Sequence, residues 1–160
     1  MASDTPSAAP FPLLYRAFFL WIEPFSTAVG AYYAHFDQDA YMDLTRAPTA
    51  LQTQMGLSIR ESIVLTQLAN LYLVFAINEA LVLRATGDIK VWKVFLLGLL
   101  IADFGHLWSC SLMGWPIYWE FWKWNSIYWG NVGFVYVGAT MRTLFLLGVG
   151  LSASSKSKIV

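Results

Sequence analysis

The sequence predicts an all-α fold: a four-helix transmembrane bundle with an interfacial aromatic helix between spans 3 and 4. Composition is the first observation behind it. Of 160 residues, 58% are hydrophobic and 12% charged, where soluble domains hold roughly 45–50% and about 25%. The second is that four apolar stretches each reach the ~20 residues a helix needs to cross a hydrocarbon core. The third is the crowding of eight aromatic side chains between Trp115 and Trp129, the ring-rich composition of the headgroup layer.

The first span covers residues 13–33, apolar apart from Arg16, Glu23 and small hydroxyls. Residues 1–10 have no basic side chain, and the apolar stretch after them is too long for a signal peptide, so it is expected to be retained as an anchor. Residues 34–57, with Asp37, Asp39, Asp43, Arg46 and Pro48, are expected outside the membrane as a cap over the non-cytosolic end. Ser58-Ile59-Arg60-Glu61 reads as a capping box, in which serine and glutamate satisfy each other's free amides at a helix start. It opens the second span, 63–83, with Gly87 as a stop. The third span is 91–111. After the aromatic segment, the fourth, 127–151, is loosened by Gly130, Gly133, Gly138, Gly148 and Gly150. Residues 1–10 and 152–160 are left as flexible tails of a single membrane domain.

Arg16, Arg84, Lys90, Lys93, Lys156 and Lys158 near one set of span ends outnumber Arg46, Arg60 and Lys123 near the other. By the positive-inside rule both termini face the cytosol, and the endoplasmic reticulum is the expected membrane. Ten basic against ten acidic side chains leave no net charge, so there is no electrostatic footprint for nucleic acid. The expected partners are the bilayer and a lipophilic small-molecule substrate, with a homo-oligomer also open. One cysteine, Cys110, and two histidines, His35 and His106, exclude a disulfide framework and a zinc site built on cysteine pairs. No metal is expected.

Ionisable groups at bilayer depth are costly and need a partner, a cavity or a task. At about 1.5 Å of rise per residue, Glu23 and Asp103 fall roughly 15–18 Å into their spans, near the midplane and facing each other. The same counting brings Glu79 and Arg142 together in the cytosolic third, as an ion pair. Asn131, Gly138 and Arg142 share one face of the fourth helix, where the glycine permits a close neighbour. Gln67, Asn70, Val74 and Asn78 share a face of the second, either joining helices through amides or lining a polar cavity. Asp103 and His106 lie one turn apart, a spacing at which a carboxylate can hold the imidazole in one tautomer. Pro24 lacks an amide hydrogen, which frees the Leu20 carbonyl and kinks the helix beside Glu23.

Of two carboxyls at one depth, one is expected protonated and the other ionised, an acid and a base side by side. That pair suits opening an epoxide, or protonating an alkene and later removing a proton, on a lipid-soluble substrate. Phosphate-binding glycine loops, the G-x-S-x-G elbow, dinucleotide fingerprints and Asp-rich diphosphate motifs are all missing from the sequence. Nucleotide chemistry, serine hydrolysis and prenyl diphosphate ionisation therefore have no support, and no cofactor is expected.

The segment from Pro12 through Trp21-Ile22-Glu23-Pro24, with Gly30-Ala31-Tyr32-Tyr33, Asn78-Glu79 and Ala102-Asp103-Phe104-Gly105-His106, resembles a fungal family of small four-span membrane proteins of secondary-metabolite gene clusters. Within it the chain is similar to the proposed epoxide hydrolases of aurovertin- and citreoviridin-type polyene pyrone pathways. That resemblance implies opening of polyene epoxides, with cyclic ethers formed, and supplies no catalytic set of its own. Membrane terpene cyclases share buried acids but have about seven spans. Emopamil-binding sterol isomerases share a compact helical bundle but no motif. The resulting expectation makes Glu23 and Asp103 the acid/base pair and His106 the assistant of Asp103, with Asn78, Glu79, Asn131 and Arg142 positioning substrate. Two alternatives stay open: a terpene cyclase or isomerase using the same acids, and a non-enzymatic scaffold or ligand-binding protein.

Overall fold

A computed structural model describes residues 11–45 and 57–151. The two tails, and Arg46 and Pro48 of the expected cap, lie outside the described residues. All regular structure among the described residues is helical.

The first rod is continuous but changes pitch, running through α1 (Leu13–Ala17), a π turn (Phe18–Ile22) and α2 (Glu23–Phe36). Its wide turn follows from Pro24: with no amide hydrogen there, the ladder shifts register and the Glu23 amide reaches back to the Phe18 carbonyl. The freed Leu20 carbonyl is not left bare, because Arg84 Nη2 donates to it at 2.5 Å. The Arg84 guanidinium also lies 4.3 Å over the Trp21 ring. α3 (Gln38–Thr45) follows directly, so the expected cap begins as a short helix.

α4 (Ile59–Ala85) starts at the capping box: Ser58 N donates to Glu61 at 2.7 Å and Glu61 N to Ser58 Oγ at 3.3 Å. Ser58→Ala should lower stability by about 1 kcal/mol, read as a lower melting temperature of the detergent-solubilised protein. After Thr86, α5 (Ile89–Ser109) is capped by Asp88, which accepts from the Lys90 amide at 2.7 Å.

The aromatic segment is not one helix. It is a chain of single 3-10 turns, Cys110–Met113, Trp115–Tyr118 and Phe121–Lys123, before the one-turn α6 (Ser126–Tyr128). Gly114 at φ 93°, followed by Pro116, breaks the helical ladder. Side chains then hold what the backbone leaves open: Tyr118 Oη donates to Leu107 O at 2.5 Å and Trp124 Nε1 to Ile117 O at 2.8 Å. Trp115, Trp119, Phe121 and Trp122 stay exposed.

A second π turn (Trp129–Phe134) leads into α7 (Val135–Leu146). Gly133 is needed in it, since a Cβ there would stand 2.9 Å from the Trp129 ring and 3.0 Å from the Trp124 ring. The helix ends short of residue 151 because Gly148 and Gly150, at φ 75° and 72°, turn the chain out of the helix.

α4 packs along α2, and α5 along α7. One apolar core gathers Phe11, Tyr15, Phe19, Leu83, Trp92 and Phe145. A second, smaller one joins Ala34, Tyr41, Leu65 and Ala69. Two helices are long and apolar enough to cross a membrane, Ile59–Ala85 and Ile89–Met113. Neither behaves as the core helix of a soluble domain: only 22% and 6% of their most apolar stretches are buried. Val94, Ile101 and Trp108 of α5 are 73%, 65% and 72% exposed, an outer surface suited to hydrocarbon.

Candidate functional site

Charged side chains from all four rods meet between the two cores. Glu23 is the first residue of α2, Glu79 lies on the inner face of α4, Asp103 on α5 and Arg142 on α7. Glu79, Arg142 and Glu23 are only 2%, 3% and 6% exposed, a depth at which charged residues survive only when paired.

Arg142 is the centre. Its Nη2 donates to Glu23 Oε1 in a short ion pair, and its Nη1 donates to Asp103 Oδ2 at 2.6 Å. The guanidinium fork suits this task, because it offers separate nitrogens in a fixed plane to two carboxylates. The expected pairing of Arg142 with Glu79 does not form. The two terminal nitrogens are taken by Glu23 and Asp103, and the Glu79 carboxyl lies instead within hydrogen-bonding reach of Glu23. Glu23 Oε2 and Glu79 Oε1 are both buried without a donor. Buried polar atoms are rarely left so. Glu23 and Asp103 thus face each other as expected, but through a guanidinium.

Gly138 makes room for the fork. A Cβ there would stand 2.7 Å from Arg142 Nη1 and 3.4 Å from Glu23 Oε1. Because both ends of the guanidinium are pinned, Gly138→Ala should cost about 1–3 kcal/mol, as over-packed sites do. Gly98→Ala is the control, with nothing within 4 Å of its added Cβ, and a small or favourable shift in melting temperature is expected.

His106 does not bond Asp103. Its imidazole approaches the backbone carbonyl of Asn131 within the second π turn, and its Nε2 is buried with no partner among the described residues. Asn131 therefore meets the site through its main chain. Asn78 points away: it is exposed on the outer face of α4, with Gln67 and Asn70, whereas Ala76, Glu79 and Leu83 face inward. The role of Arg84 in covering the Leu20 carbonyl had no sequence signal beyond the proline that frees it. An open apolar groove of about 600 Å³, lined by Trp21, Ile22, Phe25, Ser26 and Val29, runs on the back of the first rod. Among the described residues no group of three or more acidic, His or Cys side chains is placed to hold a metal ion.

These features define a class: an all-helical protein with two membrane-length apolar helices and a cluster of three carboxyls, two of them buried, around one buried arginine. More particularly, the chain belongs to the family described as a domain of unknown function (DUF7704), whose family model matches residues 8–152. Comparison with the curated proteins and with the solved structures gives no match.

Proposed function

We propose that the protein is a four-span membrane enzyme of the endoplasmic reticulum, with both termini cytosolic, that opens epoxides on an apolar polyketide intermediate by carboxylate acid/base catalysis. The observation that carries this reading is the set of buried Glu23 and Glu79 and half-buried Asp103 around Arg142, with two carboxyl oxygens lacking a donor. The first and last rods serve as the remaining spans. Each is broken by a π turn, yet is still long enough to cross a core of ~30 Å. The exposed tryptophans of the 3-10 segment sit in the headgroup layer.

In the reaction, a proton carried by the Glu23 and Glu79 pair passes to the epoxide oxygen as the strained C–O bond breaks. Asp103 accepts a proton from the attacking water, or from a hydroxyl of the substrate, as the new C–O bond forms. Arg142 keeps the two carboxylates apart and fixed. His106 assists Asp103 from one turn along α5, its unpartnered Nε2 accepting a hydrogen bond from the attacking water or hydroxyl. The proton gained by Asp103 returns through solvent to the Glu23 and Glu79 pair to restore the acid. The substrate reaches the site from the bilayer, and no cofactor takes part.

A second reading has support in the same geometry. An arginine bridging Glu23 and Asp103 ties three rods together, so the cluster can serve as a purely architectural lock. The reaction is tested with microsomes containing the intact protein, a polyene epoxide and oxygen-18 water, followed by mass spectrometry. Labelled diol, or an unlabelled cyclic ether closed by a substrate hydroxyl, is the expected result. Epoxide left unchanged, with the protein inserted and folded, would favour the lock.

A further inference from the structure

α4 has two unlike faces. Leu65, Ala69, Ala76, Glu79 and Leu83 are buried against the rest of the chain. On the opposite side Gln67, Asn70 and Asn78 are exposed. With Val74 between them they form a single stripe at helical spacing, about 16 Å long, in the middle of a helix long and apolar enough to span a membrane. Among the described residues none of the three amides has a hydrogen-bond partner.

Water would satisfy such amides at no cost. In hydrocarbon nothing does, and an unmet amide donor or acceptor is expensive. The outer face of α5, with Val94, Leu97, Ile101, Phe104 and Trp108 exposed, needs only lipid. The α4 stripe needs a hydrogen-bonding partner at its own depth. A carboxamide carries both donors and an acceptor, so the stripe is complementary to itself. Two copies inserted in the same direction are related by a two-fold axis along the membrane normal, which sets like residue against like at one depth.

We propose that Gln67, Asn70 and Asn78 form the interface of a homodimer, two α4 helices joined by interhelical amide hydrogen bonds. The proposal rests on α4 crossing the membrane and is independent of the chemistry assigned to the charge cluster. The outward direction of these side chains makes it testable without disturbing the fold of one copy.

The test uses full-length protein in microsomes. Asn70→Cys in a Cys110→Ala background should give a disulfide-linked species of twice the chain mass on mild oxidation. Val94→Cys in the same background, on the outer face of α5, should not. The triple variant Gln67→Leu, Asn70→Leu, Asn78→Leu should remain inserted and folded while its dimer affinity falls roughly tenfold or more, measured by single-molecule photobleaching counts in vesicles. A chain that stays in the membrane through alkaline extraction but is monomeric, with no cross-link formed by the Asn70→Cys variant, would overturn the dimer and leave the spanning reading intact. Cross-linking of Asn70→Cys only to a protein of another mass would also overturn it. Release by alkaline extraction would overturn both.

Discussion

Replacing Arg142 by methionine is expected to cost the protein about 3–5 kcal/mol, the penalty for removing one partner from a buried ion pair, enough to abolish most folded material. The side chain is 3% exposed and is bonded to Glu23 and Asp103. Without it, the buried Glu23 and Glu79 and the half-buried Asp103, from three helices, are left with no counter-charge. The prediction has a built-in rescue. Combining Arg142→Met with Glu23→Gln and Asp103→Asn removes the stranded charges at nearly constant volume, so folded yield should largely return, because a buried charge network can be exchanged for neutral groups at little cost. Arg142→Lys should fall between the two, since one ammonium cannot present the fork that reaches both carboxylates. Detergent melting curves of the intact chain and these three variants check the order. A triple variant no better folded than Arg142→Met would show that the arginine acts through packing instead of charge.

The second large effect is on turnover. Each general acid or base is worth about 10²–10⁴-fold, so Glu23→Gln and Asp103→Asn should each reduce epoxide opening by that order. Their structural consequences should be milder. Asparagine at 103 still offers an oxygen to Arg142 Nη1, which now sits 2.6 Å from Asp103 Oδ2, and Glu23 remains to balance the guanidinium. Glu79→Gln separates the two halves of the proposed proton donor. A glutamine can hydrogen-bond Glu23 but cannot surrender a proton to the epoxide, so folding should survive while turnover falls. Turnover equal to that of the intact protein would restrict Glu79 to holding Glu23 in place.

Much of the helical framework could be read from the sequence because its signals are local. Ser58 and Glu61 form the predicted capping box, and Pro24 frees the Leu20 carbonyl as a missing amide must. Gly138 does lie on a crowded face, but what it makes room for is the guanidinium of Arg142 on its own helix, with Glu23 of the first rod next to it. Quantities that depend on tertiary arrangement were harder. Counting residues from apolar boundaries put Glu79 and Arg142 together and away from Glu23. Two of the rods contain π turns, so equal counts do not mean equal depth, and all four side chains meet. Spacing placed Gln67, Asn70 and Asn78 on one stripe of α4, but periodicity alone does not say whether a stripe faces in or out. Aromatic composition described the surface of the segment from Trp115 to Trp129 but not its backbone. There Gly114, Pro116 and side-chain hydrogen bonds to carbonyls replace the helix with single turns.

The most direct test of the proposed chemistry is the rate of epoxide consumption by Asp103→Asn, per mole of inserted and folded protein, beside that of the intact chain. An acid/base enzyme predicts a loss of about 10²–10⁴-fold at similar folded yield. Unchanged turnover per folded molecule would contradict it, and would leave the carboxyls around Arg142 as the lock that holds the helices together.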